Sequence, residues 1–186
     1  VLAGAGLWTL RTLREDDAAG GRAPGATGSH SPRPRPSPVP AGYRLVRVPE
    51  LDVSFPVPQD WRETHRSATG VRYVDPTGQV GLRIDVLDFA SSDQVAHCRE
   101  LEEGLRAQGN GYRRLRLHPT AFRRYPAAVW EFAFQGSTQE FRAIDLVFGR
   151  EGGREYAVYL SGPSADWERH RRVFTRVQQG LRLPAE

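Results

Sequence analysis

The chain has 186 residues, 39% of them hydrophobic, with a mean hydropathy of -0.54 and a formal net charge of +4. That length allows one ordinary domain plus extensions, and a single cysteine, Cys98, excludes an internal disulfide and a CxxC zinc cluster. All 26 basic residues are Arg and there is no Met, a skew that points to a high-GC bacterial genome; the pI of about 9.7 permits contact with nucleic acid or an anionic surface without requiring it.

Residues 1–10 are apolar with small side chains and a Trp near the polar end. A bilayer takes about 20 such residues. The pattern fits the C-terminal end of a truncated transmembrane helix, with Trp8 at the interface. A frayed tail and the end of a signal peptide are the alternatives. Residues 11–41 show no apolar periodicity and are rich in Gly, Ala, Ser, Pro and Arg. Such a composition cannot offset the entropy of ordering, so it reads as a disordered linker reaching between about 30 Å and about 90 Å. The run from Ser31 to Pro40 reads as a stiff spacer rather than an SH3-type ligand.

A globular domain follows over residues 42–186. Tyr43 to Val48 alternates as a first strand. Val53 to Trp61 is a second, confined to an edge or cut short by Pro56 and Pro58. Val71 to Gly78 runs into a turn, and Val80 to Phe89 is its hairpin partner. Ser91, with Gln94 three residues on, reads as the cap of a helix whose stripe is Val95, Cys98, Leu101 and Leu105. Gly109 to Gly111 ends it. Tyr112 to Leu117 is a strand that leads to His118 and Pro119. Three apolar strands come next, between Val129 and Leu160. Trp130, Phe132 and Phe134 share one face; Ile144, Leu146 and Phe148 share another; Tyr156, Val158 and Leu160 align. Ser164 reads as the cap of a last helix with Trp167, Phe174, Val177 and Leu181 inward, and His170 at a matching position. Locally connected strands with two main amphipathic helices predict an α+β fold, an antiparallel sheet covered by those helices.

Chemistry is sparse. Cys98 on an apolar stripe reads as packing. His97 and Glu100 form one pair on a helix, short of a metal site. Asp85, Glu131 and Asp145 lie inside strands, where neighbours such as Arg83 and Arg142 can pair with them. No catalytic, cofactor-binding or metal residues emerge. The candidate polyanion contacts are Arg113, Arg114, Arg116, Arg123 and Arg124, with no acid among residues 112–124. Arg169, Arg172 and Arg176 share one helix face. A solvated surface is the plainer reading of both clusters. The third class of function, a nucleic-acid binder, lacks a recognised motif.

Ser54 to Trp61, Tyr73 to Gly78, Ala128 to Phe132, Tyr156 to Tyr159, and the last helix with Trp167 and Phe174 together carry a resemblance. The domain resembles the extracytoplasmic C-terminal domains that follow the membrane helix in receptor-type serine/threonine kinases of high-GC Gram-positive bacteria. Those domains are similar to the PsbP/Mog1 fold. Where that family shows a VP-x-Gly-Trp turn, Asp60 stands in place of Gly; Asp tolerates left-handed backbone, so the turn is expected to survive. The resemblance covers roughly residues 42–184 and brings no catalytic residues. Kinase machinery needs a strand Lys and a catalytic-loop Asp, and this chain has no Lys, while His65, Arg66 and Ser67 lack that Asp. The expected function is therefore non-enzymatic: an extracytoplasmic sensing or binding domain on a membrane anchor at the N-terminus, facing a cell-envelope ligand or protein partner. An accessory interaction module of the same fold is the second reading.

Overall fold

The computed structural model describes residues 38–184. The expected membrane-helix end at 1–10 and nearly all of the linker at 11–41 lie outside the described residues. Nine strands and two helices follow in order: β1 (Tyr43–Val48), β2 (Val53–Pro58), β3 (Arg62–Arg66), β4 (Gly70–Val74), β5 (Gly81–Leu87), α1 (Gln94–Ala107), β6 (Arg113–Phe122), β7 (Tyr125–Gln135), β8 (Glu140–Gly149), β9 (Glu155–Pro163) and α2 (Trp167–Gly180). β1 and β2 form a hairpin of their own. The other seven strands make one antiparallel sheet in the order β3-β4-β5-β9-β8-β7-β6. α1 carries the chain from β5 out to the far edge at β6. A meander then brings it back until β9 closes against β5.

The period-two pattern explains the layers. Ile144, Leu146, Phe148, Tyr156, Val158 and Leu160 face α2 and the β1–β2 hairpin. Trp130, Phe132, Phe134, Phe141, Ala143 and Val147 face α1. Burial on both faces is why β7 to β9 read as nearly continuous apolar runs. Phe132 is buried among the rings of Tyr112, Trp130, Phe134 and Tyr159. Both sheet edges are blunted against further pairing. β3 is exposed and bulged between Glu63 and His65; β6 is Arg-rich and bulged between Arg114 and Arg116. β6 also runs through Pro119 to Phe122, beyond the strand expected over Tyr112 to Leu117. An edge strand tolerates that proline because one side of its ladder has no partner.

Helix starts differ from the sequence reading. Asp93, not Ser91, caps α1: its Oδ1 accepts from the amides of Val95 and Ala96, at 2.9 and 3.0 Å. A carboxylate there also meets the positive end of the helix dipole. Ser164 belongs to a short 3-10 turn before α2, and its hydroxyl donates to Glu140 Oε1 at 2.9 Å.

A buried carboxylate fastens α1 to the sheet. Glu102 accepts from Tyr112 Oη and Arg106 Nη2, both at 2.8 Å, and from Arg114 Nη1 at 3.0 Å. Trp130 Nε1 donates in turn to Tyr112 Oη at 3.0 Å. Burial, and then the bond to Glu102, push the Tyr112 phenol well above its usual range. On the other face, His170 lies flat against Gly162 of β9, where an added Cβ would come within 2.8 Å of the imidazole. Burial holds the His170 pKa below its usual value; Asp166 and Asp75 pull it up, and Arg169 pushes it further down.

Three outcomes are expected. Phe132→Ala should cost about 3–5 kcal/mol in urea unfolding, whereas Phe89→Ala, at a side chain 72% exposed, should change stability by less than about 0.5 kcal/mol. Glu102→Ala should cost about 2–3 kcal/mol, because Tyr112 loses its acceptor while the two half-exposed arginines can rehydrate. For His170 the unfolded chain takes up a proton that the folded one refuses. Its contribution is present above about pH 6.5 and is lost as pH falls toward the depressed folded value. The melting temperature should fall between about pH 7 and pH 5, and His170→Gln should remove that part of the slope. Glu63, held down at about 2 by its bond from Arg66, acts in a separate, more acid window. Identical slopes in wild type and variant would refute the assignment.

Candidate functional site

Two turns and a helix enclose a cleft of about 520 Å³. The first turn joins β2 to β3. Trp61 N–H donates to the Pro58 carbonyl at 3.1 Å, and the Trp61 carbonyl accepts from Arg44 Nη2 at 3.0 Å. Asp60 keeps an ordinary negative φ: among the described residues, the non-glycine residues at positive φ are Asp52 and Arg123. The turn therefore survives without the left-handed residue that the sequence comparison anticipated at this point.

The second turn joins β4 to β5. Asp75 Oδ1 accepts from the amides of Gln79 and Val80, each at 2.9 Å, and Oδ2 accepts from Thr77 Oγ1 at 2.6 Å. Gly78, at φ +73°, supplies the left-handed residue. These bonds use both oxygens of Asp75, so it organises the turn.

The third wall is α2. Its inward stripe is Trp167, His170, Phe174 and Val177. One step round the helix, Arg169, Arg172 and Arg176 all line the cleft. The Arg176 guanidinium lies 5.3 Å over the Tyr43 ring. Among the described residues, none of the three has a carboxylate within ion-pair distance. Asp60, Asp166 and the neutral groups of Thr77 and Gln79 stand around them. The cleft is thus basic along one wall and rich in hydrogen-bond acceptors along the other.

The β6 cluster is built differently. Arg113 pairs with Glu140 at 3.1 Å, Arg114 with the buried Glu102 at 3.0 Å, and Arg116 with Glu131. Arg123 sits in the β6–β7 turn at φ 56° and donates to the Leu181 carbonyl. Arg124 follows it there. Strand rise puts the two ends of β6 about 30 Å apart, so the five arginines divide into two groups.

The other candidates resolve into packing and pairing. Cys98 is fully buried in the cluster beneath α1. His97 approaches Glu155 at 3.3 Å instead of Glu100. Asp85 holds Arg83 at 2.6 Å, and Glu131 also has Arg142 at 3.7 Å. Asp145 is buried opposite Tyr159. Among the described residues no three His, Cys, Asp or Glu side chains gather as a metal set. Sequence reasoning noted the shared face of Arg169, Arg172 and Arg176, but not the cleft beside it. The cleft joins turns about 15 residues apart to a helix some 90 residues further on, and no local pattern carries that.

No curated protein matches the sequence. Several solved structures share the fold. Cyanobacterial PsbP (CyanoP) from Synechocystis superposes with a TM-score of 0.61 at 12% identity, over 84% of this chain and 98% of that one. The Ran-binding protein Mog1p of Saccharomyces cerevisiae gives 0.56 at 8% identity, over 76% and 95%. LpqN of Mycobacterium tuberculosis, a protein involved in cell envelope biogenesis, gives 0.51 at 11% identity, over 69% and 81%. At such identities the likeness concerns the fold, an antiparallel sheet with two helices of the PsbP/Mog1 type. In sequence, residues 50–183 match the serine/threonine kinase C-terminal domain, which takes in both turns, both helices and the whole seven-stranded sheet. The chain belongs to the serine/threonine kinase C-terminal domain family.

Proposed function

We propose that this is the non-catalytic, extracytoplasmic binding domain of a membrane-anchored serine/threonine kinase, and that it takes its ligand in the α2 cleft. One observation carries the reading. The turn at Pro58 to Trp61, the turn at Asp75 to Gly78 and the terminal helix are three of the stretches that carry the sequence resemblance, and they build the walls of a single cleft. Family membership supports attachment to a kinase. The proposed layout is an anchor at 1–10, a linker at 11–41 and the domain at 42–186. In it α1 and α2 are the amphipathic covers of the sheet, and α2 doubles as the cleft wall. Among the described residues no helix is long and apolar enough to cross a membrane, so the anchor rests on the sequence of residues 1–10. The β6 arginines lend little to a nucleic-acid reading, since Arg113, Arg114 and Arg116 each hold a carboxylate.

Location can be read chemically. The Asp88 side chain is 98% exposed, whereas Cys98 is buried. In the full-length protein on intact bacterial cells, a membrane-impermeant maleimide should label Asp88→Cys and leave the wild type unlabelled. Labelling of that variant only after lysis would put the domain on the cytoplasmic side and overturn the proposal.

A further inference from the structure

The cleft also limits what can occupy it. We infer that its ligand is a phosphate-bearing polyol or sugar chain, with its anions on Arg169, Arg172 and Arg176 and its hydroxyls toward Asp60 on the facing turn. This rests on the cleft being the binding site.

Three features of the cleft lead there. First, the guanidiniums on α2 have no carboxylate within ion-pair distance among the described residues, while those at one end of β6 do. Charge is therefore available at α2 and largely committed at β6. Arg presents a rigid fork that matches phosphate in two parallel hydrogen bonds. Second, positions 169, 172 and 176 are spaced by about 4.5 Å and about 6 Å along the helix axis. That suits a chain carrying an anion at each short repeat. Third, Asp60 stands on the β2–β3 turn across from the helix and Asp166 sits at the N-cap of α2, so carboxylates flank the arginines and would repel a second row of anions. The Asp60 carboxylate accepts hydrogen bonds, so the ligand must offer a hydroxyl donor on that side. Anions on one edge and hydroxyls on the other describe a polyol phosphate. Beneath the arginines lies His170, 8% exposed, its Nε2 buried with no hydrogen-bond partner among the described residues.

The test titrates the whole chain with a glycerol-phosphate oligomer, followed by calorimetry. Binding should weaken about tenfold or more between about 50 mM and 200 mM salt. Arg169→Gln with Arg172→Gln should weaken it by at least about tenfold, and Arg113→Gln with Arg114→Gln should leave it unchanged. Asp60→Asn should weaken the oligomer but not inorganic polyphosphate, which has no hydroxyls to place. Loss of binding in the β6 pair and not in the α2 pair would overturn the cleft as the site. A neutral oligosaccharide that binds equally to wild type and the α2 variant would keep the cleft and overturn the phosphate assignment. Equal affinity for a single-stranded DNA oligomer, binding only to phosphatidylglycerol vesicles, or no binding to the oligomer at the lower salt would each overturn the inference.

Discussion

Strand β9 closes the fold. Two local meanders, β3 to β5 and β6 to β8, would otherwise be separate sheets, each with an open hydrophobic edge. Seven residues of β5, Gly81 to Leu87, pair with Ser161 back to Glu155, across about 70 to 80 residues of chain. β9 pairs just as fully with β8 on its other side. It is therefore flanked by backbone on both edges and covered on both faces. Alternating Tyr156, Val158 and Leu160 with Ala157 and Tyr159 fits that position, since nothing there faces water alone.

That closure dictates where the helices go. α1 has to carry the chain past three strand positions to start β6 at the far edge, and so lies over β6, β7 and β8. Its apolar stripe is short, and Glu102 adds a directional fastening that hydrophobic contact cannot give. α2 follows β9 directly and crosses the opposite face, where the β1–β2 hairpin packs beside it. Arg182 then exchanges two backbone hydrogen bonds with Ser54, at 3.0 and 2.7 Å. A smaller interaction marks the start of α2: the Arg142 guanidinium lies 5.1 Å over the Trp167 ring while also approaching Glu131.

The same packing creates the cleft. Once α2 is seated on the sheet through Trp167, His170, Phe174 and Val177, the helix turn fixes Arg169, Arg172 and Arg176 on its flank. Like charges so placed repel one another and gain little from solvent pairing. Among the described residues they have no ion-pair partner, which separates them from Arg113, Arg114 and Arg116 of β6, each of which holds a carboxylate.

Much of this was legible in the amino-acid pattern. Period-two alternation located β7, β8 and β9 and assigned their faces, because a strand turns every second side chain to the same side. The 3.6-residue stripe located both helices, and the Gly109 to Gly111 cluster located the end of α1. What the local pattern could not carry was anything decided by partners distant in the chain. Whether Pro119 interrupts β6 depends on that strand being an edge, and edge position depends on the crossover. Whether Asp93 or Ser91 caps α1 depends on which side chain the loop aims at the first turn. The pairing of Glu102 with Tyr112 and Arg114 crosses two elements. Which arginines hold a carboxylate and which face an open cleft is likewise a property of the assembled sheet. Sequence determined the elements because backbone sterics and side-chain periodicity are local; only the tertiary structure decided the site, because charge pairing and enclosure depend on distances between segments that the chain order does not contain.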